Sequence, residues 1–98
     1  MAVVVKAGEI RPGAVASVDV DSERVAIANV DGNYYAFSDV CTHRGCSLAE
    51  GDLAGKVISC PCHGGQYDVT SGEVLDGPPP EPLRTYSVTV DGEDLTIG

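Results

Sequence analysis

The chain has 98 residues, about the length of one small domain, and 43% of them are apolar, as in a folded rather than a disordered protein. Six Lys and Arg against 15 Asp and Glu give a net charge of −9, which argues against nucleic acid or an anionic membrane surface as a binding partner. No signal segment and no apolar run near the roughly 18 residues of a membrane span are visible. We therefore expect a single cytoplasmic domain, monomeric when isolated.

The first 39 residues show the patterns of short β-strands. Apolar or alternating runs occupy residues 3–5, 14–20, 25–30 and 34–37. In the second run Ala14, Ala16, Val18 and Val20 share one face, with Ser17 and Asp19 on the other. Asp31-Gly32 separates the third and fourth runs, and Asp-Gly between two such runs predicts a tight hairpin turn.

The strand pattern breaks from Val40 to Pro82, where Gly, Cys, Pro and Asp dominate. We expect one short strand at residues 56–59, between two cysteine-rich motifs, and a further strand at residues 66–69. Three consecutive prolines, at positions 78–80 of the segment 77–82, cannot join a sheet ladder and predict an extended surface loop.

Strands resume at residues 84–90 and 95–97, around a second Asp-Gly turn at Asp91-Gly92. No segment shows a sustained helical period. The sequence therefore predicts an all-β fold, an antiparallel sandwich or barrel. Its basal core comprises about residues 1–39 and 83–98, and a loop-rich insert spans about residues 40–82.

All four cysteines and both histidines fall in two short windows. The first, "CTHRGC", contains Cys41, His43 and Cys46, and the second, "CPCHGG", contains Cys60, Cys62 and His63. Each window can therefore offer a thiolate and an imidazole to a shared metal centre.

Three interpretations of these windows are open. Structural zinc accepts two cysteines and two histidines, but such sites usually take paired thiols from one arm and paired imidazoles from the other. Two disulfides would use the four cysteines and leave both histidines without a role. A [2Fe–2S] cluster with two thiolates on one iron and two imidazoles on the other uses one Cys and one His from each window.

The two windows resemble the cluster-binding motifs of the Rieske family, C-x-H and C-x-x-H, at that family's usual separation. The strand-rich flanks and the proline-rich loop fit the family fold along nearly the whole chain. The resemblance implies that Cys41 and Cys60 bind the inner iron, and that His43 and His63 bind the outer iron near solvent.

The resemblance also implies roles for neighbouring residues. Cys46 and Cys62 match an extra cysteine pair that forms a disulfide between the two loops in Rieske proteins of respiratory and photosynthetic complexes. Gly45, Gly64 and Gly65 would let the backbone approach the cluster, and the Tyr67 hydroxyl would donate to a cluster thiolate. Gly65 stands where high-potential members have a serine that donates to a bridging sulfide, so an intermediate potential is expected.

Imidazole ligation has an electrostatic consequence. Two ferric ions, two sulfides, two thiolates and two neutral imidazoles carry no net charge, whereas an all-thiolate cluster is anionic. Adding an electron to a neutral centre costs less. Rieske centres accordingly span roughly −150 to +300 mV, against about −400 mV for plant-type ferredoxins.

The sequence favours an electron carrier over an enzyme. Four protein ligands would leave neither iron an open position for substrate, and no histidine remains as a general base. The Rieske resemblance implies transfer from a flavoprotein reductase to a terminal oxygenase or similar acceptor, with Arg44, Pro78 and Pro79 as docking candidates. Alternatives are an accessory subunit like that of nitrite reductases, or the soluble head of a quinol-oxidising complex.

Histidine ligation predicts that the reduction potential falls as pH rises in the alkaline range. A bound ferric ion withdraws charge and acidifies the second ring nitrogens of His43 and His63, so the oxidised form releases protons more readily. Voltammetry from neutral to strongly alkaline pH measures this. A flat response would contradict the assignment of the two histidines.

Overall fold

The structure, a computed structural model, describes residues 3–20, 22–40, 46–62, 65–76 and 82–98. Within these ranges the strands are β1 Val3–Lys6, β2 Val15–Val20, β3 Glu23–Val30, β4 Asn33–Ser38, β5 Asp52–Ala54, β6 Val57–Ser59, β7 Gln66–Asp68, β8 Val74–Asp76, β9 Thr85–Tyr86, β10 Val88–Asp91 and β11 Asp94–Ile97. Single 3-10 turns occupy Ala7–Glu9 and Leu48–Glu50. The all-β prediction is confirmed. In this part of the chain no helix has the length and apolar character to cross a membrane.

The described strands form three antiparallel sheets. The middle sheet has the order β2-β3-β4-β9, the outer sheet β1-β11-β10 and the insert sheet β5-β6-β7-β8. Strand β3 is buried on both faces, because Val25 and Ile27 lie in one hydrophobic core while Ala26 and Ala28 lie in the other. The middle sheet therefore separates two cores.

The first core lies between the middle and outer sheets. Its buried members are Ile10, Val20, Val25, Ile27, Ala36, Leu95 and Ile97. Ala14, Ala16 and Val18 pack against it, whereas Ser17 and Asp19 are exposed, as the alternating pattern predicts.

The second core joins the middle sheet to the insert sheet. Its buried members are Ala26, Ala28, Phe37, Leu48, Ile58, Cys60, Tyr67, Val69 and Leu83. Burial of each large side chain contributes about 1.5–3 kcal/mol, so this core holds the insert firmly against the middle sheet.

Both predicted Asp-Gly turns are present, but the second is displaced. Val30 pairs with Asn33, and Asp31 and Gly32 have φ of 52° and 89°, as a two-residue hairpin loop of this kind requires. In the C-terminal hairpin Asp91 pairs with Asp94, so the loop residues are Gly92 and Glu93, one position later than expected.

The predicted number of strands between the cysteine-rich windows was wrong. Two strands, β5 and β6, lie between the windows instead of one. Strand β8, which follows β7 after the second window, was not predicted either. Strands β5 and β8 show no run of β-branched or aromatic residues, and each gains its conformation from pairing with a neighbour. The run at residues 84–90 is divided into β9, which pairs with β4, and β10, which pairs with β11.

Gly72 should tolerate alanine poorly because it contacts the returning chain. Its φ is +82°, its carbonyl accepts a hydrogen bond from the Leu83 amide at 2.7 Å, and an added Cβ would overlap the Leu83 carbonyl oxygen. Gly13 has nearly the same φ, +84°, with open space around the added Cβ. We expect Gly13→Ala to lower the free energy of unfolding by about 1 kcal/mol, from backbone strain, and Gly72→Ala by about 2 kcal/mol more.

Urea denaturation of both variants measures the difference. Equal losses would contradict the close contact between Gly72 and Leu83.

Candidate functional site

Cys60 is a buried free thiol at the start of the second cysteine-rich window. It follows β6 directly, its residue is 3% exposed, and it forms no disulfide. Its amide donates to the Gly65 carbonyl at 2.7 Å, which holds these two residues of the second window together. Among the predicted ligands it is the one that the structure describes. Cys41, His43 and His63 lie outside the described residues, as do Gly45, Gly64, Arg44, Pro78 and Pro79.

A disulfide joins the two windows. It links Cys46, at the end of the first window, to Cys62 in the second, with 6.5 Å between their Cα atoms. This is the pairing that the family resemblance implies. The covalent link holds the end of the first loop beside the segment that begins with Cys60.

The first loop is also attached to the middle sheet through Asp39. The Asp39 carboxylate is 0% exposed and accepts hydrogen bonds from Arg24 Nη2 at 2.7 Å, Ser47 Oγ at 2.7 Å and the Ala49 amide at 2.8 Å. Its main-chain carbonyl accepts from the Leu48 amide at 2.8 Å. The chain therefore leaves the middle sheet and returns to it at the same residue.

Sequence reasoning missed Asp39, although the strand pattern contained a signal. The period of two that places Phe37 in the interior also places Asp39 there. An acidic residue at an inward position, two residues before Cys41, indicates a buried charge with specific partners rather than a surface carboxylate.

Tyr67 and Gly65 are both buried beside Cys60. Tyr67 is 0% exposed, pairs across the strands with Ile58 and belongs to the same hydrophobic core as Cys60. Gly65 carries the carbonyl that receives the Cys60 amide. Two of the residues predicted to lie near the cluster, Gly65 and Tyr67, are therefore close to Cys60.

The turn after β7 is fixed by Asp68. Its Oδ1 accepts hydrogen bonds from Thr70 Oγ1 at 2.6 Å and from the Thr70 amide at 2.8 Å, and the Lys56 ammonium lies 3.7 Å from Oδ2. The Thr70 hydroxyl, ahead of the Lys56 charge, lowers the pKa of Asp68 below 3.8. This stabilisation is complete above pH about 4 and is lost as pH falls through the lowered pKa.

An open cleft of about 360 Å³ lies beside the first loop. Its lining includes Val40, Arg24 and Arg84, so two of the chain's six cationic side chains face one cleft. Arg84 lies over the Tyr86 ring at 5.3 Å and 3.5 Å from a Glu23 carboxylate oxygen. Although the chain as a whole is acidic, the cleft lining has the positive charges of Arg24 and Arg84 beside the negative charge of Glu23.

The described part of the site, a buried free thiol, fits a ligand of an iron–sulfur centre. A buried thiol without a disulfide partner is either a small core side chain or a metal ligand. Here it directly follows strand β6, two residues before the cysteine that a disulfide joins to the other cysteine-rich loop. Within the described ranges no three His, Cys, Asp or Glu side chains form a group that could hold a metal ion, and three of the four predicted ligands lie outside those ranges.

Comparison with known proteins agrees with this arrangement. Residues 1–87 match the family model of the Rieske [2Fe-2S] domain. The chain is 42% identical over 90 residues to the biphenyl dioxygenase ferredoxin subunit of Pseudomonas sp. (strain KKS102), covering 91% of this chain and 83% of that protein. It is 37% identical over 92 residues to the cytochrome b6-f complex iron-sulfur subunit of Chlorobaculum thiosulfatiphilum, covering 94% of this chain and 50% of the subunit.

The fold also matches a chain in the solved complex of reduced oxygenase and oxidized ferredoxin of carbazole 1,9a-dioxygenase. The TM-score is 0.89 at 35% sequence identity, and the match covers 96% of this chain and 91% of the other.

Tyr67→Phe should lower the reduction potential of a cluster bound through Cys60. A hydroxyl that donates to a thiolate stabilises the more negative, reduced state. Its loss is expected to shift the potential by about 60 mV, the one-electron equivalent of about 1.4 kcal/mol.

Tyr34→Phe is the matched control, because the Tyr34 hydroxyl donates to the Ala7 carbonyl at 3.3 Å and Tyr34 packs against the other core. Voltammetry measures the reduction potential of both variants, and Tyr34→Phe should leave it unchanged. A shift below about 15 mV for Tyr67→Phe would remove this residue from the cluster's surroundings.

Proposed function

Because the chain belongs to the family of Rieske [2Fe-2S] domains, we propose that it is a one-electron carrier, taking electrons from a flavoprotein reductase and passing them to a terminal oxygenase or similar acceptor. The observation that carries the proposal is the 42% identity, across 91% of the chain, to the ferredoxin subunit of a dioxygenase. The buried free Cys60 beside two disulfide-joined loops supports it from the structure.

The proposed ligands are Cys41 and Cys60 on the inner iron and His43 and His63 on the outer iron. When bound, the [2Fe–2S] cluster supplies reversible one-electron chemistry at a potential raised by imidazole ligation. The chain's own residues keep the ligand loops in place. The Cys60 amide is held by Gly65, and the disulfide limits the separation of the two loops.

Carriage of electrons, rather than catalysis, agrees with this ligand set. Cys41, His43, Cys60 and His63 would complete the coordination of both irons, so a substrate would find no open position. The relatives that support the proposal are named as ferredoxin components, and the solved complex pairs such a ferredoxin with its oxygenase.

We place the docking surface around the two loop tips, with Arg44, Pro78 and Pro79 as contact residues. Two exposed apolar side chains support this position. Val40, 40% exposed, directly precedes the first window, and Leu75, 48% exposed, lies shortly before the proline-rich segment. Electron transfer needs a small, short-lived interface, and the exposed Val40, with Arg24 and Arg84 lining the same cleft, suits such a contact.

The proposal includes a cytoplasmic location. Stable disulfides are uncommon in that compartment, so the Cys46–Cys62 bridge must resist cellular thiols. Because Cys46 packs against the second core, attack of a cellular thiol on the disulfide should be slow.

A second candidate is a cluster-bearing subunit or soluble head of a larger complex, such as a quinol-oxidising one. The disulfide and the 37% identity to a cytochrome b6-f subunit favour it. Direct reduction of the isolated protein by quinol, at a rate exceeding reduction by the flavoprotein, would select this candidate.

The test of carrier function is a reconstituted chain of flavoprotein reductase, this protein and a Rieske-type oxygenase. We expect product formation to require this protein and its reduction by the reductase to slow several-fold over a tenfold rise in ionic strength, because salt screens charge-guided docking.

Reduction by a neutral small molecule is the control, since it needs no docked complex and should respond little to salt. A colourless protein after expression with full iron supply, or a reduced paramagnetic spectrum typical of an all-thiolate cluster, would overturn the proposal.

A further inference from the structure

Asp39 is a buried charge at the root of the first cysteine-rich loop. Among the described residues the buried polar or charged side chains are Asn29 and Asp39, at 2% and 0% exposure. Removing a carboxylate from water costs several kcal/mol, which good geometry and complete hydrogen bonding can offset. Asp39 meets both conditions through Arg24, Ser47 and Ala49.

Stability alone does not account for this arrangement. Well-packed apolar residues of similar volume often stabilise a core as well as a buried ion pair does. The distinctive property of the network is directional: it fixes particular atoms relative to one another, which an apolar side chain would not do.

The atoms that the network fixes are the two ends of one loop. Asp39 follows β4, and three consecutive residues after the loop, Ser47, Leu48 and Ala49, donate to its side chain or carbonyl. Val40 and Ser47 form an isolated bridge at the same place. The described residues on the two sides of the first window are therefore held against each other.

The other side of the network belongs to the middle sheet. The Arg24 guanidinium on β3 binds Asp39 Oδ2, the Arg24 carbonyl accepts from the Asp39 amide at 3.0 Å, and the Ser17 hydroxyl on β2 lies 3.4 Å from the same Oδ2. Strands β2 and β3 therefore both hold Asp39, which in turn holds the residues that follow the first cysteine-rich window. Sites attached to rigid strands hold their geometry better than sites on free loops.

We propose that Asp39 is a positioning residue for the bound cluster. It sets the point at which the first ligand loop, with the proposed ligand Cys41 two residues away, leaves and rejoins the middle sheet. This role rests on the proposed function, because it concerns the geometry and retention of a cluster in the assembled protein.

Asp39→Asn of the cluster-loaded protein is the test. Asparagine keeps the shape but replaces one carboxylate oxygen with an amide nitrogen, which cannot accept from Arg24 and Ser47 in place of Oδ2, or from the Ala49 amide in place of Oδ1. We expect iron loss to a chelator to accelerate about tenfold, as loss of a hydrogen bond to a charged group would produce, together with a broadened or shifted paramagnetic spectrum of the reduced protein.

Asn29→Ala is the matched control. Asn29 is also buried and makes two hydrogen bonds, to the Ile10 carbonyl at 2.8 Å and from the Gly32 amide at 2.8 Å, but these fix a turn outside the cysteine-rich loops. Asn29→Ala should lower the unfolding temperature and leave the spectrum and the rate of iron loss unchanged. Ser47→Ala, which keeps the buried carboxylate and its arginine, should reproduce part of the Asp39→Asn effect even if Asp39→Asn does not fold.

The outcomes separate the two proposals. A coloured wild-type protein whose Asp39→Asn and Ser47→Ala variants keep the wild-type spectrum and iron-loss rate would overturn the positioning role alone. Equal effects of Asn29→Ala on both readouts would overturn it too, since general destabilisation would then explain them. A colourless wild-type protein would overturn the carrier function together with this role.

Discussion

Burial of both faces of β3 is the constraint on which the rest of the fold depends. Alternate residues of this strand enter different cores, so the outer sheet and the insert sheet are attached to opposite sides of one middle sheet. Neither outer layer needs a large core of its own, which suits a chain of 98 residues. The insert, whose strands have three residues each, acquires its order from this packing.

The site inherits its geometry from that middle sheet through three kinds of attachment. Apolar packing places Cys60 and Tyr67 in the second core, the disulfide couples the two cysteine-rich loops, and the Asp39 network ties the first loop to β3. Each acts in a different way, by burial, by covalent linkage and by directed hydrogen bonds. Together they fix the described residues that flank the proposed ligand loops.

Sequence reasoning recovered the features that depend on local pattern. The alternation at residues 14–20 follows from the two-residue period of a strand, and the Asp31-Gly32 turn follows from the positive φ that these residues tolerate. Both are local properties that do not depend on contacts with distant parts of the chain. Strands β5 and β8 were missed because their sequences, DLA and VLD, show no run of β-branched or aromatic residues, and their conformation depends on pairing with β6 and β7. The run at residues 84–90 was read as one strand because its division between two sheets is decided by tertiary contacts.

The ligand set stays a prediction, and the residues that support the ligand loops were not predictable from the sequence. The spacing of cysteines and histidines pointed to a family, because those ligand types follow from the metal chemistry. Asp39 was missed because its partners Arg24 and Ser47 are distant in sequence or separated by the loop they secure. Networks of this kind become visible when strands are placed side by side.

The crosslink between Cys46 and Cys62 has a consequence for how the protein acquires its cofactor. Two loops that are already tethered 6.5 Å apart at their Cα atoms cannot drift away from each other while the site is vacant. Much of the conformational entropy of bringing them together is then removed in advance, at oxidation, instead of at metal insertion. A chain that has already formed this disulfide therefore loses less conformational entropy when residues of both loops bind one cluster.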